Sequence, residues 1–382
     1  MDKNIFLKCV KCNKAYPLTK EVLTCSKHNP YYGYLSVVYD YNSIKINNSK
    51  KNDGWSKYLP LLPIKEFKIG FNEQKTPLFK LEKFGKKMGL KNLYVKDEGK
   101  NPTGSFKDKE SAVTINKALE WGINHIFVVS SGNAAVSTAA YAQKAGIKCD
   151  CLVSKNLSAG KRFLITLYGA KIKEIDGNYE AIYRYAIDKN YPGWNCTPGI
   201  NPLKDEGIKI IGFETWEQIG VPDVIIVPCG NGTLLFGIYK AFKELQILGK
   251  IKKLPMFIGV QIKGASPLKV ALEENKEFVT LKDIPESIAE GIVAEESYSS
   301  PKAMIALKET GGGIIEVTDK EIKQALREII SLESIIPEPT SAAVFAGVKK
   351  LNLCDEGKVV CIQTASGVKN LKEIWYTLFE GL

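Results

Sequence analysis

From residue 76 onward the chain alternates short apolar runs with amphipathic segments, and this alternation constrains the fold more than any other sequence feature. The first cycle predicts a strand at LYVKDE, a helix over SFKDKESAVTINKALEWG and a strand at HIFVVSS. The pattern resumes with DVIIVPCG, the helical LLFGIYKAFKELQILG and the strand PMFIGVQIKG. Strands that alternate with helices form parallel sheets with helices on both faces. The sequence therefore predicts an α/β fold.

The chain of 382 residues is longer than one hydrophobic core usually organises, so we expect two lobes. Its apolar runs are shorter than the roughly 20 residues of a membrane helix. The N-terminus, MDKNIFLKCVKC, lacks the apolar stretch of a signal peptide. These features predict a cytoplasmic protein without a membrane partner.

The net charge of +11 raises the question of nucleic-acid binding, because basic surfaces attract phosphate backbones. However, only three of the 53 basic residues are arginines, and the lysines are scattered along the chain. We therefore expect no nucleic-acid partner. The chain has only two histidines, His28 and His125, and this scarcity argues against a Ser-His-Asp triad.

The first 45 residues carry a separate pattern, in which Cys9-x-x-Cys12 is followed by Cys25-x-x-His28. Two such pairs suit tetrahedral zinc, because each pair can present two ligands from one tight turn. Zinc held this way is structural, since four protein ligands leave no position open for catalysis. The alternative is a metal-free hairpin, because the fourth ligand is a histidine and lysines surround the pairs.

Three loops that follow predicted strands are candidates for chemistry, because ligands of parallel sheets bind at the carboxyl ends of strands. The loop KDEGKNPTGSFKDKE places Lys107 at the start of a helix, as a Schiff-base lysine or as an ordinary surface lysine. SSGNAAVS is either an anion site at a helix N-terminus or a simple turn. PCGNGTLLFG can bind a phosphate, although it is neither a Walker loop nor GxGxxG.

Five motifs occur in the order found in threonine synthases, pyridoxal-phosphate (PLP) enzymes of the tryptophan-synthase-β group: GKNPTGSFKDK, SSGNAAVSTAAYA, PCGNGTL, EPTSAAVFAG and TASGVKN. The resemblance covers nearly the whole chain, and the N-terminus is similar to the ribbon of some threonine-synthase-like proteins. It implies a homodimer of PLP fold type II. The implied parts are a zinc-ribbon-like segment over 1–45, a large PLP-binding lobe over 46–105 and 200–382, and a small lobe over 106–199 that closes over the substrate.

The resemblance also implies individual roles. Lys107 would form the Schiff base and move protons, Asn133 would bind the cofactor's 3′-oxygen, and Thr364 would face its pyridine nitrogen. The cofactor phosphate would be bound by the backbone of Gly230, Asn231, Gly232 and Thr233. The substrate carboxylate would be surrounded by Ser131, Gly132, Asn133, Ala134 and Ala135.

The substrate side departs from the family pattern. Ala134 replaces a threonine, and Gly199 and Lys204 stand where the family often has a serine and an arginine that hold the substrate phosphate. Lys204 can still act as a point charge there. Ser366 replaces a histidine of many relatives, and ESIAEGIVAEESYSS resembles a loop of serine and threonine dehydratases.

Two activities are compatible with these motifs. In the first, O-phosphohomoserine loses phosphate and gains water to give threonine. The second is β-elimination or β-replacement on serine, threonine or O-phosphoserine, as in a dehydratase, an ammonia-lyase or a cysteate-synthase-like enzyme. A third hypothesis is a non-catalytic protein that binds PLP or nucleic acid. The intact cofactor loops argue against it.

Overall fold

The computed structural model describes residues 5–44, 54–155, 157 and 159–379. The chain divides into two compact units. Unit 1 contains Met1–Lys75 and Lys107–Ile210, and unit 2 contains Thr76–Phe106 and Ile211–Leu382. The lobes expected from the sequence differ from these units at 46–75, at Phe106 and at 200–210. Closure over a substrate stays a prediction. The expected boundary between residues 45 and 46 lies outside the described residues.

The described residues form thirteen strands and twelve α-helices. The strands are β1 (Ile5–Cys9), β2 (Ala15–Pro17), β3 (Leu35–Tyr39), β4 (Leu78–Lys80), β5 (Leu93–Asp97), β6 (His125–Val129), β7 (Lys148–Ser154), β8 (Lys171–Ile175), β9 (Trp194–Asn195), β10 (Val224–Pro228), β11 (Met256–Ile262), β12 (Gly313–Val317) and β13 (Val359–Gln363). The helices are α1 (Glu82–Met88), α2 (Lys107–Glu120), α3 (Asn133–Ala145), α4 (Ala159–Leu167), α5 (Tyr179–Asp188), α6 (Leu203–Ile219), α7 (Thr233–Ile247), α8 (Pro267–Glu273), α9 (Ser300–Thr310), α10 (Asp319–Glu333), α11 (Pro339–Val348) and α12 (Leu371–Phe379).

Unit 1 contains two sheets. The three-stranded sheet of the N-terminal ribbon has the order β2-β1-β3 and is antiparallel. The second sheet is parallel, with the order β8-β7-β6-β9. Its central strand β6 is apolar and buried along most of its length, as expected for a strand covered on both faces. The small residues of α2 and α3 let these helices approach closely, and the Ser137 hydroxyl donates to Ser111 Oγ at 2.9 Å.

Unit 2 is built on a six-stranded sheet with the order β12-β11-β10-β13-β5-β4. All neighbouring strands are parallel except the edge strand β4, which is antiparallel to β5. Helix α10 begins with a capping box in which Thr318 and Glu321 satisfy each other's backbone N–H groups. Its buried side chains pack with α11 and the sheet in one apolar cluster, and they recur at helical spacing: Ile322, Ala325, Leu326 and Ile329.

The α/β prediction and its parallel sheets are confirmed. The predicted strands correspond to β5, β6, β10 and β11. These segments could be recognised because the spacing of apolar residues differs between strands and helices. Helix α3 begins at Asn133, so the SSGNAAVS loop includes the first turn of this helix. Within the described part of the chain, no helix is both long and apolar enough to span a bilayer.

Candidate active site

The loop before Lys107 is fixed by hydrogen bonds within unit 2. The Asn101 amide donates to both the carbonyl and the carboxylate of Glu98, at 2.8 and 2.7 Å. Gly104 takes a positive φ of 77° and donates its N–H to the Asn101 carbonyl. The Phe106 N–H then donates to the Thr364 carbonyl at 2.9 Å. Lys107 follows Phe106 directly in the chain.

Lys107 is the first residue of α2, and its ammonium contacts a buried carboxylate. Its Nζ donates to Glu110 Oε1 at 2.7 Å, with side-chain exposures of 18% for Lys107 and 0% for Glu110. The other oxygen, Glu110 Oε2, is buried without a hydrogen-bond partner among the described residues. Glu110 was not among the residues predicted from the sequence. Its spacing, three residues after a candidate catalytic lysine on a helix, was the signal that could have identified it.

Lys204 occupies the first turn of α6 in the same unit. The Asn201 side chain caps this helix by accepting the Leu203 N–H at 3.0 Å. Gly207 permits close packing of α6 on α2, because a Cβ there would overlap the carbonyl oxygen of Lys109. The Lys204 side chain is therefore completely buried.

The buried ammonium of Lys204 has no hydrogen-bond partner among the described residues. Burial lowers the pKa of Lys204, the carboxylate of Glu110 opposes this shift, and the positive charge of Lys107 adds to it. A desolvated cation of this kind is a binding site for an anion, since an anion would supply the missing partner. Unit 1 thus brings together Lys107, Glu110 and Lys204.

The second predicted loop forms the N-terminus of α3, also in unit 1. The Gly132 N–H donates to Ser130 Oγ at 3.1 Å. Asn133 begins the helix, and the N–H groups of Ala135 and Val136 donate to the Gly132 carbonyl at 3.0 and 3.3 Å. Ser131 is exposed, whereas Ala134 and Ala135 are buried. This arrangement suits a carboxylate at the helix N-terminus.

The glycine loop lies between β10 and α7 in unit 2. Gly232 has a φ of 88°, and a Cβ there would lie 2.8 Å from the Cβ of Ala303. The carbonyl groups of this loop are occupied, because Ser297 Oγ donates to the Gly230 carbonyl at 2.6 Å and the Ser299 N–H donates to the Asn231 carbonyl at 2.9 Å. Because these carbonyl groups already accept hydrogen bonds within the protein, the N–H groups at the N-terminus of α7 can bind an anion.

Two serines that support the predicted residues had no assigned role in the sequence analysis. Ser299 Oγ lies 3.0 Å from Thr233 Oγ1, and Ser341 Oγ lies 2.7 Å from Thr364 Oγ1. Ser341 also accepts the N–H of Ala365 at 2.9 Å, which fixes the backbone beside Thr364. Neither pairing follows from the sequence, because more than 20 positions separate the partners of each pair.

The strands of unit 2 bring the glycine loop and Thr364 to one edge of the sheet. In the β10–β13 pair, Ile226 lies opposite Cys361, and both chains run in the same direction. Cys229 and Thr364 each follow three residues later, at the carboxyl ends of their strands. This is the edge at which α/β sheets bind ligands.

The comparisons with known proteins agree with this geometry. The model of the family described as "Pyridoxal-phosphate dependent enzyme" matches residues 69–365. The chain is 38% identical to the threonine synthase of Methanosarcina acetivorans, over 95% of this chain and 92% of that protein. The chain belongs to the threonine synthase family of PLP-dependent enzymes. It is also 37% identical to the threonine synthase of Methanocaldococcus jannaschii, with the same coverage.

Solved structures show that this threonine synthase family member has PLP fold type II. A threonine deaminase from T.th. matches with a TM-score of 0.66 and 25% identity, over 77% of this chain and 92% of that chain. A diaminopropionate ammonia lyase from Escherichia coli matches with a TM-score of 0.69 and 17% identity, over 82% and 89% of the chains. The prediction of this fold is therefore confirmed.

The cofactor of this family, PLP, fits the residues that are present. Its phosphate requires a cradle of backbone N–H groups, and the glycine loop can supply these at the start of α7, where Gly232 has no room for a Cβ beside Ala303. Its aldehyde requires a lysine at a fixed position, which the start of α2 provides in Lys107. The hydroxyl of Thr364 is buried and oriented by Ser341, as a partner of a ring nitrogen should be.

The departures from the family pattern have local physical consequences. Gly199 takes a φ of 99°, a conformation in which a serine would be strained, so the backbone itself favours glycine. Ser366 caps a short 3₁₀ turn by accepting the N–H of Val368 at 3.3 Å. Ser366 therefore has a local structural role at the position where many relatives carry a histidine.

The four predicted metal ligands also lie together in unit 1. The ligand atoms of Cys9, Cys12, Cys25 and His28 are all within 4.8 Å of one another. The backbone N–H of Lys14 is the main cause that lowers the pKa of Cys12 to about 6. A thiol in this state is readily available as a thiolate ligand.

Proposed function

We propose that the chain converts O-phosphohomoserine and water into threonine and phosphate, with PLP bound through Lys107. The observation that carries this proposal is the buried ammonium of Lys204 beside Lys107 and Glu110. A dianionic phosphate supplies the partner that this ammonium lacks, whereas an unphosphorylated substrate supplies none there. Relatives that are named threonine synthases and align over 95% of the chain support the same assignment.

The cofactor contacts are proposed from the resemblance and from the local geometry. Backbone N–H groups over 230–233 hold the cofactor phosphate at the start of α7. Asn133 binds the 3′-oxygen, and the Thr364 hydroxyl faces the pyridine nitrogen. When bound, the cofactor withdraws electrons from the carbon atoms of the amino acid, which makes their protons removable.

Lys107 moves the protons. It takes a proton from Cα and then one from Cβ of the substrate, and the Cγ–O bond breaks as phosphate leaves. One proton returns to Cγ and one to Cα, a water molecule gives up a proton and adds its hydroxyl group to Cβ, and the remaining proton leaves with the phosphate. The sum is one O-phosphohomoserine plus one water giving one threonine plus one phosphate. When Lys107 is not bonded to the cofactor, Glu110 holds its ammonium in position.

Lys204 binds the substrate phosphate and stabilises the charge that develops as phosphate leaves. The Lys204 ammonium is a single charged group, whereas an arginine guanidinium can form two parallel hydrogen bonds. Lys204 therefore orients the phosphate less strictly than an arginine would. The first turn of α3, with Ser131, Gly132, Ala134 and Ala135, receives the substrate carboxylate. Ala134 offers no hydroxyl there, so backbone N–H groups bind this carboxylate.

The test is incubation of the purified holoenzyme with O-phosphohomoserine, with phosphate and threonine measured in parallel. Equal amounts of both products are expected. The competing activity, β-elimination or β-replacement, is examined with serine, threonine and O-phosphoserine, by following ammonia and 2-oxo acids. Phosphate release without threonine, or faster turnover of serine than of O-phosphohomoserine, would overturn the proposal.

We further infer a homodimer in the cytoplasm, in which residues over 106–199 close upon the bound substrate. The resemblance to threonine synthases supports the dimer, and small-molecule substrates agree with a cytoplasmic location. Sedimentation of the holoenzyme measures the oligomeric state directly. A monomer that turns over at full rate would contradict the dimer while leaving the proposed reaction intact.

A further inference from the structure

The N-terminal ribbon contains two tight turns that face each other. In the first, the Asn13 N–H donates to the Cys9 carbonyl at 3.0 Å, and the Cys12 N–H points to Cys9 Sγ at 3.5 Å. Asn13 adopts a φ of 59°, which closes the turn after Cys12. In the second, the His28 N–H donates to the Cys25 carbonyl at 3.2 Å. Each turn thus presents two side chains with metal-ligand chemistry on one side.

The distances match a tetrahedral ion. Cys12 Sγ and Cys25 Sγ are 3.8 Å apart. Zinc with Zn–S bonds of about 2.3 Å sets its sulfur ligands about 3.8 Å apart. A disulfide would need about 2.05 Å, and all these cysteines are free.

His28 provides a second, independent observation. Its Nε2 atom is buried and has no hydrogen-bond partner among the described residues. The ring also stacks against Tyr34, with centroids 4.7 Å apart. A buried ring nitrogen without a partner is costly unless a ligand satisfies it. We propose that Cys9, Cys12, Cys25 and His28 bind one structural Zn²⁺ ion.

The surrounding lysines fit this assignment. Three thiolates, one neutral imidazole and Zn²⁺ leave the site with one net negative charge. The Lys11 ammonium lies over the Tyr34 ring at 5.9 Å, and Lys14 donates to Ser26 at 3.1 Å beside the second turn. The lysines around the two turns therefore offset the charge of the bound site.

The ion fixes a segment that docks on the rest of unit 1. Tyr31, three residues after His28, donates its hydroxyl to Asp188 at 2.6 Å and accepts the Tyr183 hydroxyl at its carbonyl at 2.9 Å. The Trp194 indole N–H donates to the Lys20 carbonyl at 2.9 Å. Without the ion, these contacts would have to order the ribbon alone.

The ribbon also reaches the helix that carries Lys204. Strand β3 pairs with β1, which ends at Cys9, and its Tyr39 hydroxyl donates to Glu206. Glu206 forms a fully buried ion pair with Lys209 at 2.7 Å, on the first turns of α6. The ion therefore positions the first turn of α6, in which Lys204 lies two residues before Glu206. This link between the ion and the substrate site rests on the proposed role of Lys204.

Metal analysis of the full-length holoenzyme tests the site itself. About one zinc per chain is expected in the wild type and in Cys354→Ser, and far less in Cys12→Ser. Co²⁺ added to the metal-free chain is expected to give thiolate-to-metal absorption. Trypsin should cleave the ribbon faster in Cys12→Ser than in Cys354→Ser. A chain that binds neither Zn²⁺ nor Co²⁺, or that holds a Cys12–Cys25 disulfide, would overturn the proposal.

Kinetics of Tyr39→Phe test the link to α6, because this variant keeps all four ligands. Full zinc content, unchanged cofactor absorbance and a raised KM for the amino-acid substrate are expected. An unchanged KM would overturn the link and leave the metal site standing. Metal content and proteolysis require no turnover, so a failure of the proposed reaction would be recognised separately.

Discussion

The Glu110 carboxylate lies 2.7 Å from the Lys107 ammonium, one helical turn further along α2, and it is fully buried there. The same carboxylate acts electrostatically on the buried ammonium of Lys204. One carboxylate thus serves two lysines in unit 1. Glu110 is the only carboxylate of this trio, and once Lys107 bonds to the cofactor its charge is no longer shared with a free Lys107 ammonium.

Replacement of Glu110 by Gln tests this arrangement. The amide keeps the shape but removes the negative charge that orients Lys107, so kcat should fall by roughly 100-fold, as for a displaced proton-transfer group. The pH profile of kcat should shift as well. The control is Glu120→Gln, which removes the same type of contact to Lys117 at 2.9 Å on the same helix. If both variants behave alike, Glu110 has only a structural role.

Replacement of Lys107 by Ala tests the cofactor anchor. The variant should lose the borohydride-reducible bond to the cofactor and about 1,000-fold or more of turnover, because it lacks both the anchor and the proton carrier. Lys117→Ala, on the same helix, should retain both. A reducible bond that persisted in Lys107→Ala would show that another lysine holds the cofactor.

Replacement of Lys204 by Met should separate stability from function. Removal of a buried ammonium without a partner should raise the free energy of unfolding by about 1 to 3 kcal/mol. The KM for O-phosphohomoserine should nevertheless rise by about tenfold or more, because the phosphate loses its charged partner. Lys209→Met is the control, and it should destabilise the protein by about 3 to 5 kcal/mol since Lys209 is paired with Glu206.

The gain in stability from Lys204→Met should depend on pH. The folded state lowers the pKa of Lys204, so between this lowered value and the ordinary lysine value the unfolded chain binds more protons. Wild-type stability therefore rises with pH across that window. The advantage of methionine should be complete below the lowered pKa and vanish above the ordinary one. Thermal unfolding at several pH values measures this, and an advantage that grew with pH would contradict it.

The sequence predicted most of the framework, and it proposed cofactor residues without the side chains that contact them. The parallel sheets followed from periodicity, whereas the roles of Lys107 and Thr364 came from the resemblance to threonine synthases. Glu110 was one of many acidic residues in a lysine-rich chain, and its electrostatic effect on Lys204 depends on the close packing of α6 on α2 at Gly207. Ser299 and Ser341 reach the site through long-range packing, which local patterns do not record.

Replacement of Gly232 by Ala tests the phosphate cradle. A Cβ at this position would lie 2.8 Å from Ala303 in a backbone with φ of 88°, so the loop must shift to admit it. The cofactor dissociation constant should rise by about tenfold or more, because the N–H groups at the start of α7 would move away from the phosphate.

Gly249→Ala is the matched control, since Gly249 also has a positive φ, 67°, but an added Cβ there would meet open space. Both variants should lose about 1 to 2 kcal/mol of stability from the left-handed conformation. Cofactor binding, measured by absorbance titration, should weaken in Gly232→Ala alone. Equal weakening in both would mean that general destabilisation, and not the cradle, controls cofactor affinity.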